Sequence, residues 1–149
     1  MADRVVLASD HAGRELRLEL VRVVSEAGYE ADDLGTTGTA SVDYPDFARL
    51  GAEEVAARRA RFAILVCGTG IGMSMAANKV KGVRAAHCST ELEARLARGH
   101  NDANALCLGE RILGKGQAAA IVRAFLEAPF EGGRHQVRVD KIMQLERQR

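Results

Sequence analysis

Cys67 is followed by glycines at every second position, Cys67-Gly68-Thr69-Gly70-Ile71-Gly72, before a helical pattern begins at about Met73. Glycines let backbone N–H groups turn inward with no side chain in the way, so such a loop cradles negative charge. A thiol at its mouth, beside the positive end of a helix, ionises more readily, and the thiolate can act as a base. Taken alone, a cysteine at a strand end is a small core residue. That bland reading suits Cys88 and Cys107, which have no comparable loop. The glycines are not a Walker A loop, because no Gly-Lys-Ser/Thr follows and Lys79 lies a helix away. Nor are they a dinucleotide fingerprint, whose third glycine falls on Met73 here.

Three further groups carry usable chemistry. Asp10-His11 follows an apolar run and precedes a helix, where the aspartate can serve as an N-cap and the histidine can donate to a phosphate oxygen. His100 and Asn101 come just after Gly99, read as a helix stop, and offer a general acid and an amide for a developing oxyanion. Arg134 and Arg138 are four apart, which sets both guanidiniums on one helical face and suits a phosphate dianion. Solvated turns and exposed arginines explain the same residues without function. His87 and His135 have no such context and read as structural or exposed, and the Arg58-Arg59-Ala60-Arg61 run reads as a solvated helix end.

The elements that must position these groups are visible as short apolar runs at Val5 to Ala8, Phe62 to Cys67, Val83 to Cys88 and Ala105 to Leu108, with a weaker one at Tyr29 to Leu34. Between them, helical spacing covers Arg14 to Ala27, Asp46 to Ala60, Met73 to Val80, Thr90 to Arg98 and Gln117 to Ala128. A last helix from Arg134 onward offers Val137, Ile142 and Leu145 as apolar contacts and is long enough to pack on a neighbouring subunit. Strands apolar on both sides that alternate with helices predict a doubly wound, Rossmann-like α/β domain with a parallel sheet of about five strands. Ligands then bind beyond the carboxyl ends of the strands, where strand order reverses.

The 149 residues, 47% of them hydrophobic, suffice for one core, so the whole chain 1–149 reads as one domain. With 21 basic and 20 acidic side chains the net charge is +1, which offers no general field for nucleic acid or an anionic membrane. The start, Met1-Ala2-Asp3-Arg4, lacks the pattern of a signal peptide, and no apolar run approaches the roughly 20 residues of a membrane span. A cytoplasmic protein is expected. Three cysteines without a CxxC spacing predict neither disulfides nor a zinc cluster.

Ser9-Asp10-His11-Ala12-Gly13, Asp43-Tyr44-Pro45, Cys67 to Gly72 running on to Ala76-Ala77-Asn78-Lys79, Gly99-His100-Asn101-Asp102-Ala103-Asn104 and Glu131-Gly132-Gly133-Arg134-His135-Gln136 together resemble type B ribose-5-phosphate isomerase. That wider family includes allose-6-phosphate and galactose-6-phosphate isomerases. The resemblance implies Cys67 as proton acceptor and His100 as ring-opening acid, without metal or cofactor. It also implies a loop Gly68, Thr69, Gly70, Ile71 and Gly72 that stabilises an enediolate, with Asp10, His11, Asn101, Arg111, Arg134 and Arg138 binding a sugar phosphate. In another branch of the family a glutamate stands at the position of Met73 and the cysteine is absent, so this chain falls in the cysteine branch. The resemblance further implies a homodimer or dimer of dimers with shared sites, in which His100 and Arg111 act across an interface. Ser41, Val42 and Met73 are candidates for setting pocket length. A nucleotide-binding regulatory module is the competing reading, since Asp32-Asp33 lies at a suitable spacing, but Asp10-His11-Ala12-Gly13 lacks the required glycines.

Overall fold

The computed structural model describes residues 3–148; Met1, Ala2 and Arg149 lie outside them. The strands are β1 (Arg4–Ser9), β2 (Glu30–Asp33), β3 (Phe62–Cys67), β4 (Ala85–His87) and β5 (Ala105–Gly109). They form one five-stranded sheet in the order β2-β1-β3-β5-β4, with every pairing parallel. All six residues of β3 and all five of β5 are buried, as expected of central strands covered on both faces.

Helices α1 (Arg14–Glu26), α4 (Glu91–Asn101) and α5 (Lys115–Glu127) cover one face, where Leu16, Leu20, Ile121 and Phe125 pack on Leu7, Ile64 and Leu106. Helices α2 (Tyr44–Ala56) and α3 (Ile71–Ala77) cover the other, with Ala48, Ala52, Met73 and Ala77 against Val6, Leu65 and Cys107. Small residues on α2 and α3 let those helices sit close to the sheet. The predicted doubly wound sheet of about five strands is thus present. Among the described residues no helix is long and apolar enough to cross a membrane.

Three boundaries differ from expectation for physical reasons. α2 begins at Tyr44, with Pro45 in its first turn, where a missing N–H costs nothing and the fixed φ favours the helix. α3 begins at Ile71 rather than Met73, because Gly70 takes a left-handed φ of 83° and turns the chain directly into the helix. Gly99 is not a stop: α4 runs on to Asn101 and ends at Asp102, which adopts the left-handed conformation at φ 47°. The last helix, α6 (Arg134–Gln144), lies against α4 and buries Val139. Val137, Ile142 and Leu145, expected as its apolar contacts, are instead exposed.

Candidate active site

β1 and β3 are neighbours, yet the chain leaves β1 toward β2 on one side and leaves β3 toward β4 on the other. Their carboxyl ends therefore diverge into a crevice, the place where doubly wound sheets bind ligands. A cleft of about 440 Å³ lies there, bordered by Asp10, His11, Tyr44, Cys67, Gly68, Thr69, Ile71, Gly72, Met75 and Arg111.

Register places Cys67 at the end of β3 opposite Gly109, with only 5% of its surface exposed. The Gly70 N–H donates to its Sγ at 3.1 Å, so the loop folds back over the sulfur and points an amide at it. Gly70 is required there: beyond its positive φ, an added Cβ would lie 2.8 Å from the His87 ring. Gly72 is required for another reason, since the ring of Tyr44 stands directly on it. Burial pushes the Cys88 thiol up to about 12, with Glu93 adding to the effect, and pushes Cys107 higher still. Neither of those two borders the cleft. Iodoacetamide at mildly alkaline pH is accordingly expected to label Cys67 first, read by peptide mass spectrometry; prior labelling of Cys88 or Cys107 would contradict this assignment.

The first loop is equally fixed. Asp10 is 6% exposed and its Oδ1 accepts the Gly13 N–H at 3.0 Å, so it is an N-cap that also borders the cleft. Gly13 passes so close to β3 that a Cβ would lie 2.6 Å from the Val66 carbonyl oxygen. His11 Nδ1 accepts the Val42 N–H at 3.1 Å, which leaves Nε2 as the nitrogen free to face the cleft and ties the 41–42 segment to the site. Arg111 donates its backbone N–H to Gly68 O at 2.9 Å, and its guanidinium lies about 3.5 Å from where a Gly68 Cβ would stand. Arg111 thus belongs to the Cys67 cleft of its own chain rather than reaching it across an interface. Met73, on the inner face of α3, is fully buried and does not border the cleft, whereas Met75 does.

The remaining predicted residues lie elsewhere. α4 delivers His100 and Asn101 to the amino-terminal edge of the sheet, where Ala63 N donates to Asn104 O just before β5 begins. β5 is five residues long, so about 13 Å of strand separates its start from Gly109, the register partner of Cys67. Arg134 opens α6, and Arg138 folds back to donate to Arg134 O at 2.9 Å. The predicted set therefore divides into two groups. Asp10, His11, Cys67 to Gly72 and Arg111 form the cleft; His100, Asn101, Arg134 and Arg138 lie away from it.

Reading the sequence missed three residues. Tyr44 lies within the quoted Asp43-Tyr44-Pro45 motif but received no role. His87 backs Gly70, and His135 stacks on His100 with ring centroids 4.1 Å apart and planes 9° from parallel. Motif membership pointed to Tyr44 and to His135, whose stacking on His100 is a long-range contact with no local signal; the contact of His87 is also long-range and lies outside every quoted motif. A larger cleft, about 830 Å³, opens at the amino-terminal edge among Arg4, Arg58, Arg59, Arg61 and Arg84. Its arginines are largely neutralised: Arg4 pairs with Asp32 and Glu54, Arg59 with Glu54, Arg61 with Asp3 and Arg84 with Asp102. The smaller cleft is the one that gathers Asp10, His11, Cys67 and Arg111.

The chain is similar to known proteins along nearly its whole length. Residues 5–142 match the family model described as Ribose/Galactose Isomerase. Ribose-5-phosphate isomerase B of Escherichia coli K12 is 44% identical over 146 residues, covering 98% of each chain. The structure of Clostridium thermocellum ribose-5-phosphate isomerase B has a TM-score of 0.95 at 48% identity, covering 97% of this chain and 98% of that one. The Mycoplasma genitalium ribose-5-phosphate isomerase B structure, with ribulose 5-phosphate bound, also has a TM-score of 0.95, at 44% identity, covering 100% of this chain and 99% of that one. With a match across nearly its full length, the chain belongs to the ribose/galactose isomerase family.

Proposed function

We propose that the protein interconverts D-ribose 5-phosphate and D-ribulose 5-phosphate by proton transfer, with Cys67 as the base. The observation that carries this reading is the Cys67 sulfur at the rim of the switch-point cleft, bordered by Asp10, His11 and Arg111 and approached by the Gly70 amide. The bound ribulose 5-phosphate of the Mycoplasma genitalium relative supports the choice of sugar.

Ribose 5-phosphate is mostly a closed ring, so a proton must first move from the anomeric hydroxyl to the ring oxygen, a step assigned to His100 with Asn101 beside it. The Cys67 thiolate then takes the proton from C2 of the aldehyde. Charge on the resulting cis-enediolate is held by amides of Gly68 to Gly72, each such donor contributing roughly 3 kcal/mol in comparable oxyanion sites. The C2 hydroxyl proton then passes to O1, and returning the carbon-bound proton to C1 as the C2–O2 bond becomes a carbonyl gives the ketose; the reading assigns no metal or cofactor to any step. Asp10 and His11 contact the sugar; Arg111, Arg134 and Arg138 hold the phosphate.

His100, Asn101, Arg134 and Arg138 lie away from the cleft, so we assign them to the cleft of a second subunit in a homodimer or larger assembly. Exposed Ile142 on α6, Leu145 just beyond its end, and Met75 beside the cleft supply apolar surface for such a contact. The whole chain acts as one isomerase domain in this reading. Initial rates on ribose 5-phosphate, allose 6-phosphate and galactose 6-phosphate test it: the pentose is expected to be turned over fastest in kcat/KM, and a hexose preferred by tenfold would replace the substrate. Arg138→Ala is expected to raise KM by about tenfold with kcat little changed, since a phosphate contact is made equally in ground and transition states. An unchanged KM would remove Arg138 from the site.

A further inference from the structure

His100 from α4, Glu131 from the loop after α5, and His135 from the first turn of α6 converge outside the Cys67 cleft. We propose that these three side chains form a site for an imidazole-preferring divalent ion of the zinc class, and that filling it blocks the isomerase by taking His100 out of the reaction. The blocking clause rests on the role given to His100 above; the site itself does not.

One ligand atom from each residue lies within 4.8 Å of the others. His100 Nε2 is 3.6 Å from Glu131 Oε2, and His135 Nε2 is 3.8 Å from Glu131 Oε1. Bonds of 2.0 to 2.2 Å in tetrahedral zinc place neighbouring ligand atoms roughly 3.4 Å apart, so each imidazole stands a few tenths of an ångström too far from one carboxylate oxygen, and a small turn of the Glu131 carboxylate brings a single oxygen to both rings. They are also too long for hydrogen bonds, so no short contact must be broken to admit an ion. Two imidazoles and one carboxylate select zinc-class ions over magnesium or calcium, which prefer oxygen ligands throughout. Three protein ligands leave a fourth position for water.

The cluster is held by backbone as well as by side chains. The Glu131 N–H donates to Gly99 O at 3.0 Å, pinning the loop to the end of α4. Gly99 then lets the carboxylate lie across that helix end, because any Cβ there would come within 2.6 Å of Glu131 Oε2. The carboxyl terminus of α4 adds a partial negative charge.

Two features make this a reversible ion rather than a resident one. The rings are stacked nearly parallel, so their lone pairs meet at one point only after each tilts about its Cβ–Cγ bond, a soft torsion. Arg134 and Arg138 also stand near His135 and oppose a second cation.

Calorimetric titration of the metal-free protein with zinc chloride, and with magnesium chloride as a control, tests the site. One zinc per chain and no magnesium is expected, with His135→Ala and Glu131→Gln each weakening zinc by at least about tenfold. Turnover of ribose 5-phosphate by the unmodified protein should fall as zinc fills and return with a chelator, and both variants should need correspondingly more zinc. Cys67 is the competing zinc ligand and is untouched by either substitution, so equal affinity in both variants would overturn the site. Zinc binding that depends on His135 but leaves turnover unchanged would instead overturn the blockade and count against His100 as the ring-opening acid. The two variants alter different elements, and melting curves without zinc establish that each is folded.

Discussion

Cys67→Ala is expected to lower kcat by about a thousandfold while KM and the melting temperature change little, because a positioned base contributes roughly 10² to 10⁴ in rate. The sulfur is the one titratable group at the end of β3 that both borders the cleft and receives the Gly70 amide. Truncation removes a single atom from a position only 5% exposed, costing about 1 kcal/mol of stability. Cys67→Ser separates the two contributions. It keeps an acceptor for the Gly70 N–H and should recover stability, yet an alcohol is too weak an acid to supply an anionic base, so turnover should stay low. Steady-state kinetics with calorimetric binding of ribose 5-phosphate would measure this, and kcat within tenfold of the unmodified enzyme would remove Cys67 from the proton-transfer step.

Equal amounts of Cys67→Ala and His100→Ala chains, each nearly inactive alone, are expected to regain about a quarter of full activity once unfolded together and refolded. Random pairing makes half the dimers mixed, and each mixed dimer has one intact site and one doubly defective site if Cys67 and His100 meet across a two-fold axis. The separation along β5 motivates the expectation. No side chain bridges about 13 Å of strand, so a site that uses both residues draws them from two copies. Mixtures no more active than their components would show that His100 does not complete the cleft of another chain.

Legibility in the sequence followed how local each determinant was. Phe62–Cys67 was read to its exact ends because an unbroken apolar run between Arg61 and Gly68 has one physical solution, a strand buried on both faces. Arg14–Glu26 was nearly as clear, with its apolar stripe intact and Gly28 just beyond. α2 was read late because Pro45 looks like a breaker until the chain before it is known to be extended. α6 was read as a helix, and its apolar positions divide: Val139 is covered within the protomer, whereas Val137, Ile142 and Leu145 stand on the outer surface. Residue chemistry in the Cys67 loop pointed to the cleft, but the separation of His100 from Cys67 could not be read without the strand order and register.

The glycines of the cleft bear on how relatives of this enzyme could change their sugar. A side chain on Gly13 would overlap the Val66 carbonyl, one on Gly72 the Tyr44 ring, and one on Gly109 the Thr69 carbonyl. Obstruction by main chain or by a rigid ring leaves little room for even a methyl group, so the floor of the cradle is closed to diversification. Selection for a longer substrate is thereby channelled to the exposed rim, onto the side chains of Ile71 and Met75, where a substitution can lengthen the cavity without disturbing the machinery underneath.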